Sequence, residues 1–296
     1  VKRILIINAD DLGYTRGVNR AVVQCVTKGL LRNATVMANG EAFQDAIDAA
    51  ASMRASCERF GVGVHLVLTE LSPVARPEEI SDLLDDEGLL PKSPTQLFAA
   101  LHRGKIKSRS LFRELDQQVA KVVDHGVRPT HLDSHKHVHV LPQILDVVIR
   151  IARKYSIRWI RRPFDRTSLR PMIGAVDPGK KAALCKQHLK ARLIEIYRPA
   201  FLYRIRHAGM RVPDHFFGIS LTGLWNERVL VQLLRQLPTG TSEWMFHPGD
   251  CDGELRQHRT RLLREREVER DLLLSPVLED LLNKHGVTLE SYSTLL

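Results

Sequence analysis

Two spacings of apolar residues alternate along this chain. Short continuous apolar runs are separated by longer stretches in which apolar positions recur every three or four residues. The first pattern belongs to strands buried on both faces, the second to helices with one face on a core. Arg3–Ile7, Ala34–Ala38, Gly61–Leu68, the stretch through His131–His139, Ile157–Arg161, Phe217–Leu221 and Glu243–His247 read as strands. Helices are expected over 19–30, 41–57, 111–125, 141–155, 180–197 (interrupted at Pro199), 226–236 and 276–285. Gly126 stands where a left-handed residue would end the third of these. Strand–helix alternation repeated in this way means a parallel sheet with helices outside. Polar candidates follow several different strands rather than one switch point, so a closed or nearly closed seven-stranded (β/α) barrel is expected.

At 296 residues one barrel domain over 1–296 accounts for the whole chain. Residues 69–107, with Pro73, Pro77, Pro91 and Pro94, read as an excursion with brief helices. No apolar run approaches the ~18–20 residues of a spanning helix. The N-terminal run turns polar at Asn8 without a cleavage-site pattern and reads as the first strand. Cys25, Cys57, Cys185 and Cys251 are widely spaced, which fits free thiols in a reducing compartment; the cytoplasm is expected. Neither GxGxxG nor GxxxxGK[ST] occurs, so the usual nucleotide-binding fingerprints are excluded.

The net charge of +10 is concentrated: residues 150–211 hold 17 Lys and Arg against three acids. Such a block fits an anionic partner, either a membrane face or a nucleic acid, or a solvated basic surface. The 180–206 part could pack on the core or lie on a membrane as a basic amphipathic segment, at the inner face of the membrane for a cytoplasmic protein. Aromatics for base stacking are not interleaved with the cations, so nucleic acid is the weaker reading.

Chemistry is densest at Pro129–His139, where four of the 13 histidines fall within nine residues around Asp133. On an extended strand His131, Asp133 and His135 share a face. The first strand ends in Asp10–Asp11, the third carries His65, and the seventh ends at His247. In a parallel barrel these strand ends converge on one rim. An aspartate and two histidines with open positions hold a hydrolytic divalent ion, zinc or magnesium. Asp10 is placed to take a proton from water and His247 to give one to a leaving group.

Asn8-Ala9-Asp10-Asp11-Leu12-Gly13, Gly63-Val64-His65-Leu66, Thr130–His139 and Phe246-His247-Pro248 resemble the motif set of the YdjC-type carbohydrate deacetylases over about residues 3–285. That resemblance implies an irregular (β/α) barrel of the polysaccharide-deacetylase-like type. It implies metal ligands at Asp11, His65 and His135, a base at Asp10 and an acid at His247. His131, Asp133, His137 and His139 would surround and orient the ligands. His65–Leu68, Asp214–Gly218 and Leu274–Leu278 resemble the hopanoid-associated branch, although Asp133-Ser134-His135 departs from that branch's Asn-Ala-His. The implied activity is N-deacetylation of an amino sugar, lipid-linked or oligosaccharide, with Arg161, Asp214 and His215 as candidate substrate contacts. Another amidohydrolase or phosphodiesterase on the same rim is the alternative within metal hydrolysis.

Overall fold

The computed structural model describes residues 2–295. Among the described residues eight strands form, β1 Arg3–Leu12, β2 Asn33–Val36, β3 Gly61–Leu66, β4 His131–Ser134, β5 Trp159–Ile160, β6 His215–Phe217, β7 Gly240–Phe246 and β8 Val287–Glu290. The helices are α1 Arg16–Thr27, α2 Phe43–Ser56, α3 Pro94–His102, α4 Ser108–Asp124, α5 Pro142–Lys154, α6 Leu169–Ala175, α7 Lys181–Ile194, α8 Arg198–Ala208, α9 Glu227–Gln236, α10 Gly253–Gln257, α11 Arg264–Leu274 and α12 Pro276–Lys284. Among the described residues no helix is long and apolar enough to cross a membrane.

All strand pairings are parallel, and seven strands run in the order β5-β4-β3-β2-β1-β7-β6. The two ends of this curled row meet through isolated bridges, Trp159 with Arg211 and Asp165 with Phe216. An irregular (β/α) barrel results. β1 is its spine, pairing with β7 along Arg3–Ala9 and with β2 from Asn8 onward. The eighth strand, which the apolar pattern did not reveal, pairs with Arg3–Ile6 of β1. It delivers Tyr292 to the barrel floor, where Tyr292 clusters with Ile6 and Trp159.

Outer residues of the strands pack on the helices. Leu5, Ile7, Val62, Val64, Leu132 and Ile160 are buried there with Val18, Val22, Leu115, Val119, Leu145 and Val148 from α1, α4 and α5. The excursion after β3 is tied down by a buried carboxylate. Glu114 of α4 accepts from the backbone N–H groups of Val74 and Ala75 and from Asn39 Nδ2. Paired donors of this kind replace water around a buried anion.

Three details differ from the pattern reading. The histidine-rich strand stops at Ser134, and His135–Val140 turn through left-handed residues Lys136 and His137 (φ 56° and 58°). The expected 180–197 helix is α7 plus a tight turn at Glu195–Tyr197. Pro199 then sits in the first turn of α8, where its missing N–H costs nothing. The sixth strand lies at His215–Phe217 instead of 217–221, ending where Gly218 takes φ 151° under Met245.

Candidate active site

The inner wall of the barrel is polar, and the two-residue period of the strands makes it so. Asn8 and Asp10, Thr35, His65, His131 and Asp133, Arg161 and Glu243 come from six successive stations around the ring and bond to one another. Gly63 is required here: a Cβ at that position would lie 2.6 Å from the His131 ring. Arg161 is the hub, fully buried. Its guanidinium reaches Asp10 Oδ1 and Oδ2 at 2.7 and 2.6 Å, Glu243 Oε1 at 2.8 Å and Asp133 Oδ2 at 2.7 Å. Burial alone would raise the Asp10 and Asp133 carboxyls, but Arg161 outweighs it and holds both below the usual carboxylate range. Burial wins only at Glu243, whose carboxyl is raised; its Oε2 accepts from the Tyr292 hydroxyl at 2.8 Å.

Successive strand residues should face opposite ways, yet Asp10 and Asp11 both serve this end of the barrel. The β1–β2 register breaks between Ala9 and Leu12, and Asp11 takes a left-handed φ of 67°. Asp10 therefore points into the barrel while Asp11 turns over its rim. Asp11 Oδ1 lies 3.5 Å from His65 Nε2 and 3.6 Å from His135 Nδ1. Its Oδ2 accepts from Arg266 Nη2 at 2.6 Å.

Each of the two imidazoles has a carboxylate behind it. His65 Nδ1 is 2.8 Å from Asp133 Oδ1, and His135 Nε2 is 3.1 Å from Glu70 Oε2. Ionised carboxylates only accept, so His65 Nδ1 and His135 Nε2 carry protons, and the nitrogens left facing Asp11 to serve as ligands are His65 Nε2 and His135 Nδ1. Burial would lower the His65 pKa, but Asp133, with Asp10 and Asp11, raises it to about 9.

Two groups of side chains bring potential ligand atoms within 4.8 Å of one another, Asp11–His65–His135 and Asp10–His65–Asp133. In the second, Arg161 already lies between the carboxylates and balances them. The first fits a divalent ion. It offers one carboxylate oxygen 3.5 and 3.6 Å from two imidazole nitrogens, near the roughly 3.4 Å that separates tetrahedral ligands on bonds of about 2.1 Å. The backing carboxylates are the usual support for metal-binding histidines.

The other histidines of the cluster do different work. His131 bonds Asn8 Oδ1 at 3.0 Å and stacks on Tyr292; burial pulls its pKa down to about 3. His139 accepts from the Ser134 hydroxyl at 2.6 Å and donates to the Arg161 carbonyl at 3.1 Å, tying β4 to the strand beside it. Burial lowers its pKa to about 4 and that of His137 well below the ordinary value. His247, just past β7, is buried close enough to Asp11 to help keep that carboxylate ionised, and its Nδ1 lies 3.6 Å from Glu269 Oε2. Its backbone N–H donates to Glu269 Oε2.

Three residues expected to touch substrate are placed elsewhere. Arg161 is sealed inside the barrel and contacts only the chain. Asp214 and His215 flank the start of β6, opposite Thr241 and Ser242 near the N-terminal end of β7. They are therefore at the far end of the barrel from Asp11. Conversely, Glu70, Glu243, Arg266 and Glu269 belong to the site and were not singled out. Arg266 and Glu269 lie in a charged stretch that reads as solvated surface, yet both are buried. Their i, i+3 spacing with Leu272 and Leu273 beyond marks one inward helix face.

The sequence profile of the YdjC-like protein family matches residues 4–284. A carbohydrate deacetylase from Thermoanaerobacter pseudethanolicus is 26% identical over 99% of both chains. One from Geobacillus stearothermophilus is 30% identical over 98% of this chain and 97% of its own. A chitooligosaccharide deacetylase from Salmonella paratyphi B is 38% identical over 53% of this chain and 58% of its own. The crystal structure of a candidate cellobiose-phosphate cleavage protein from Enterococcus faecalis V583 superposes with a TM-score of 0.75. It covers 100% of this chain and 99% of its own at 24% identity, a likeness of fold. The chain belongs to the YdjC-like protein family.

Proposed function

We propose that this protein is a metal-dependent hydrolase that removes the N-acetyl group from an N-acetylated amino sugar. The observation that carries the reading is the meeting of Asp11, His65 and His135, each imidazole backed by its own carboxylate. These three residues would hold one divalent cation, which when bound polarises the acetamide carbonyl and acidifies water. The substrate class comes from the carbohydrate deacetylases to which the chain is similar along its length and the chitooligosaccharide deacetylase to which about half of it is similar.

Asp10 is the proton acceptor for the attacking water. Two donors occupy its Oδ1, Asn8 Nδ2 and Arg161 Nη2, whereas Oδ2 accepts from Arg161 Nη1 alone and keeps a lone pair. Arg161 keeps the carboxylate ionised at neutral pH. The same pairing weakens it as a base, so the reaction depends on an acidified water. His247 donates a proton to the departing amine; its buried Nδ1 lies 3.6 Å from Glu269 Oε2, which leaves Nε2 as the nitrogen available for that transfer. Arg266 fixes Asp11 through Oδ2 and leaves Oδ1 for the cation.

The decisive assay compares acetate release from N-acetylated chitooligosaccharides and N-acetylglucosamine-bearing lipids with hydrolysis of phosphodiesters to a phosphomonoester and an alcohol. Metal-dependent acetate release is expected; phosphodiester hydrolysis alone would replace the reading with the phosphodiesterase alternative.

A further inference from the structure

The basic block contains a surface that the deacetylase reading does not use. Of the large apolar side chains that stand exposed, four fall on one short segment: Leu189 (62%), Leu193 (57%), Ile196 (73%) and Tyr203 (62%). On α7 and the turn after it, Ala182, Cys185, Leu189, Leu193 and Ile196 are all exposed. Their spacing of three and four residues sets them in one stripe. The opposite face, with Leu184, Gln187 and Ala191, is buried and attaches the helix to the body of the protein. Lys181 and Arg192 border the stripe on one side, Lys186 and Lys190 on the other, and all four are exposed. No acidic residue occurs between Lys181 and Ile194.

A second feature lies along the Arg192 edge. A cleft of about 430 Å³ is lined by Arg166, Thr167, Ser168, His188, Arg192 and Arg198, with Leu169 and Glu195 completing it. Its one acid, Glu195, faces Arg198 at 3.4 Å. Arg166 has no ion-pair partner among the described residues, and Arg192 is bound only to the Asp165 backbone carbonyl. Thr167 is 2% exposed, and its hydroxyl has no partner. Guanidinium forks beside an unused hydroxyl match the oxygens of a phosphate group.

We propose that α7 docks this protein on an anionic phospholipid surface, with the apolar stripe at the acyl boundary and a lipid phosphate in the Arg166–Arg192–Arg198 cleft. The stripe spans about 14 residues, roughly 21 Å of helix, long enough to lie flat in a headgroup layer. Charge complementarity selects the occupant. Two copies of this chain meeting face to face would oppose four cations with four cations. A nucleic acid would use the cations but leave the leucines and isoleucine in water. A membrane with anionic headgroups satisfies both sets, and apolar insertion plus a polybasic rim supplies the two signals that stable surface binding requires. This inference is independent of the reaction proposed for the barrel.

The test is flotation of the full chain with phosphatidylcholine vesicles, with and without phosphatidylglycerol. Binding is expected only on the anionic vesicles. The Leu189→Glu/Leu193→Glu pair should abolish it. Lys186→Gln/Lys190→Gln should weaken it about fivefold per lysine, and Arg166→Ser should weaken it again. All of these positions are exposed, so circular dichroism and acetate release from a soluble oligosaccharide should be unchanged. Equal flotation of wild type and the double glutamate variant overturns the proposal. So does inorganic phosphate bound in the cleft without flotation, which would assign the cleft to a soluble phosphate. DNA binding indifferent to the glutamates, or a dimer that they dissociate, overturns it as well.

Discussion

Replacing Asp133 by asparagine isolates the support of one ligand without touching the others. Asp133 Oδ1 is the partner of His65 Nδ1 at 2.8 Å, and Oδ2 accepts from the Thr35 hydroxyl at 3.1 Å and lies 2.7 Å from Arg161 Nη1, which keeps Asp10 and Glu243 as its other partners. The isosteric amide keeps the shape and removes the charge that makes His65 a strong ligand. Loss of such backing groups weakens metal binding by about 10–100-fold, or roughly 1.4–2.7 kcal/mol. The same charge also sets a proton competition. Burial would lower the His65 pKa, but Asp133 and the neighbouring aspartates raise it to about 9, so the metal-free ring is protonated at pH 7. Two pH units below that value, displacing the proton costs roughly 2.7 kcal/mol of apparent affinity. Wild type should therefore gain close to tenfold in zinc affinity per pH unit from about pH 6.5 to 9. In Asp133→Asn the ring protonates less readily, so the slope should flatten and the deficit should be widest at high pH. Competitive chelator titrations across that range measure both quantities. Parallel slopes in the two proteins would refute the claim that Asp133 controls the His65 proton.

Asp10→Asn should retain metal and lose about 10²–10⁴-fold in kcat; unchanged turnover, read with metal content, would remove Asp10 as the base. Arg161→Met leaves Asp10, Asp133 and Glu243 without their shared cation and should lower stability by roughly 3–5 kcal/mol in urea unfolding. Glu243→Gln added to that variant should restore part of the loss. The His65 shift also has a stability consequence for the metal-free protein. A histidine whose folded pKa lies near 9 adds stability that is complete below its unfolded pKa of about 6.5 and is lost as pH rises through 9. Thermal midpoints of chelator-treated protein should therefore fall across that window, and a rise would contradict the assignment of charge.

Asp10–Asp11, His65 and His135 were legible because parallel strands put their C-terminal ends on one rim. An isolated acid or histidine in an apolar run is conspicuous there. Arg161 shows where that reading stops. Its position after a strand marked it as part of the site, but only the ring of strands shows that its partners come from β1, β4 and β7, which turns a supposed substrate contact into the cation that holds Asp10, Asp133 and Glu243. Asp214 and His215 stood out in the Asp214–Gly218 stretch that resembles one branch of the family, but the expected strand at 217–221 and the observed β6 at His215–Phe217 both put them at the entry end of the sixth strand, away from the rim. Arg266 and Glu269 were hidden by composition, since a run of alternating charge looks solvated until its inward face is tied to Leu272 and Leu273. The short β8 carries too little periodicity to separate it from a terminal loop, yet it brings Tyr292 under His131.

The proposed reaction needs one ion at Asp11, His65 and His135, and metal analysis coupled to acetate release tests that need most directly. Purified protein should carry one divalent ion per chain. It should lose acetate release on chelation and recover it on readdition, and His135→Ala should lose both metal and activity. A His135→Ala protein that kept its metal and released acetate at the wild-type rate would contradict the assignment.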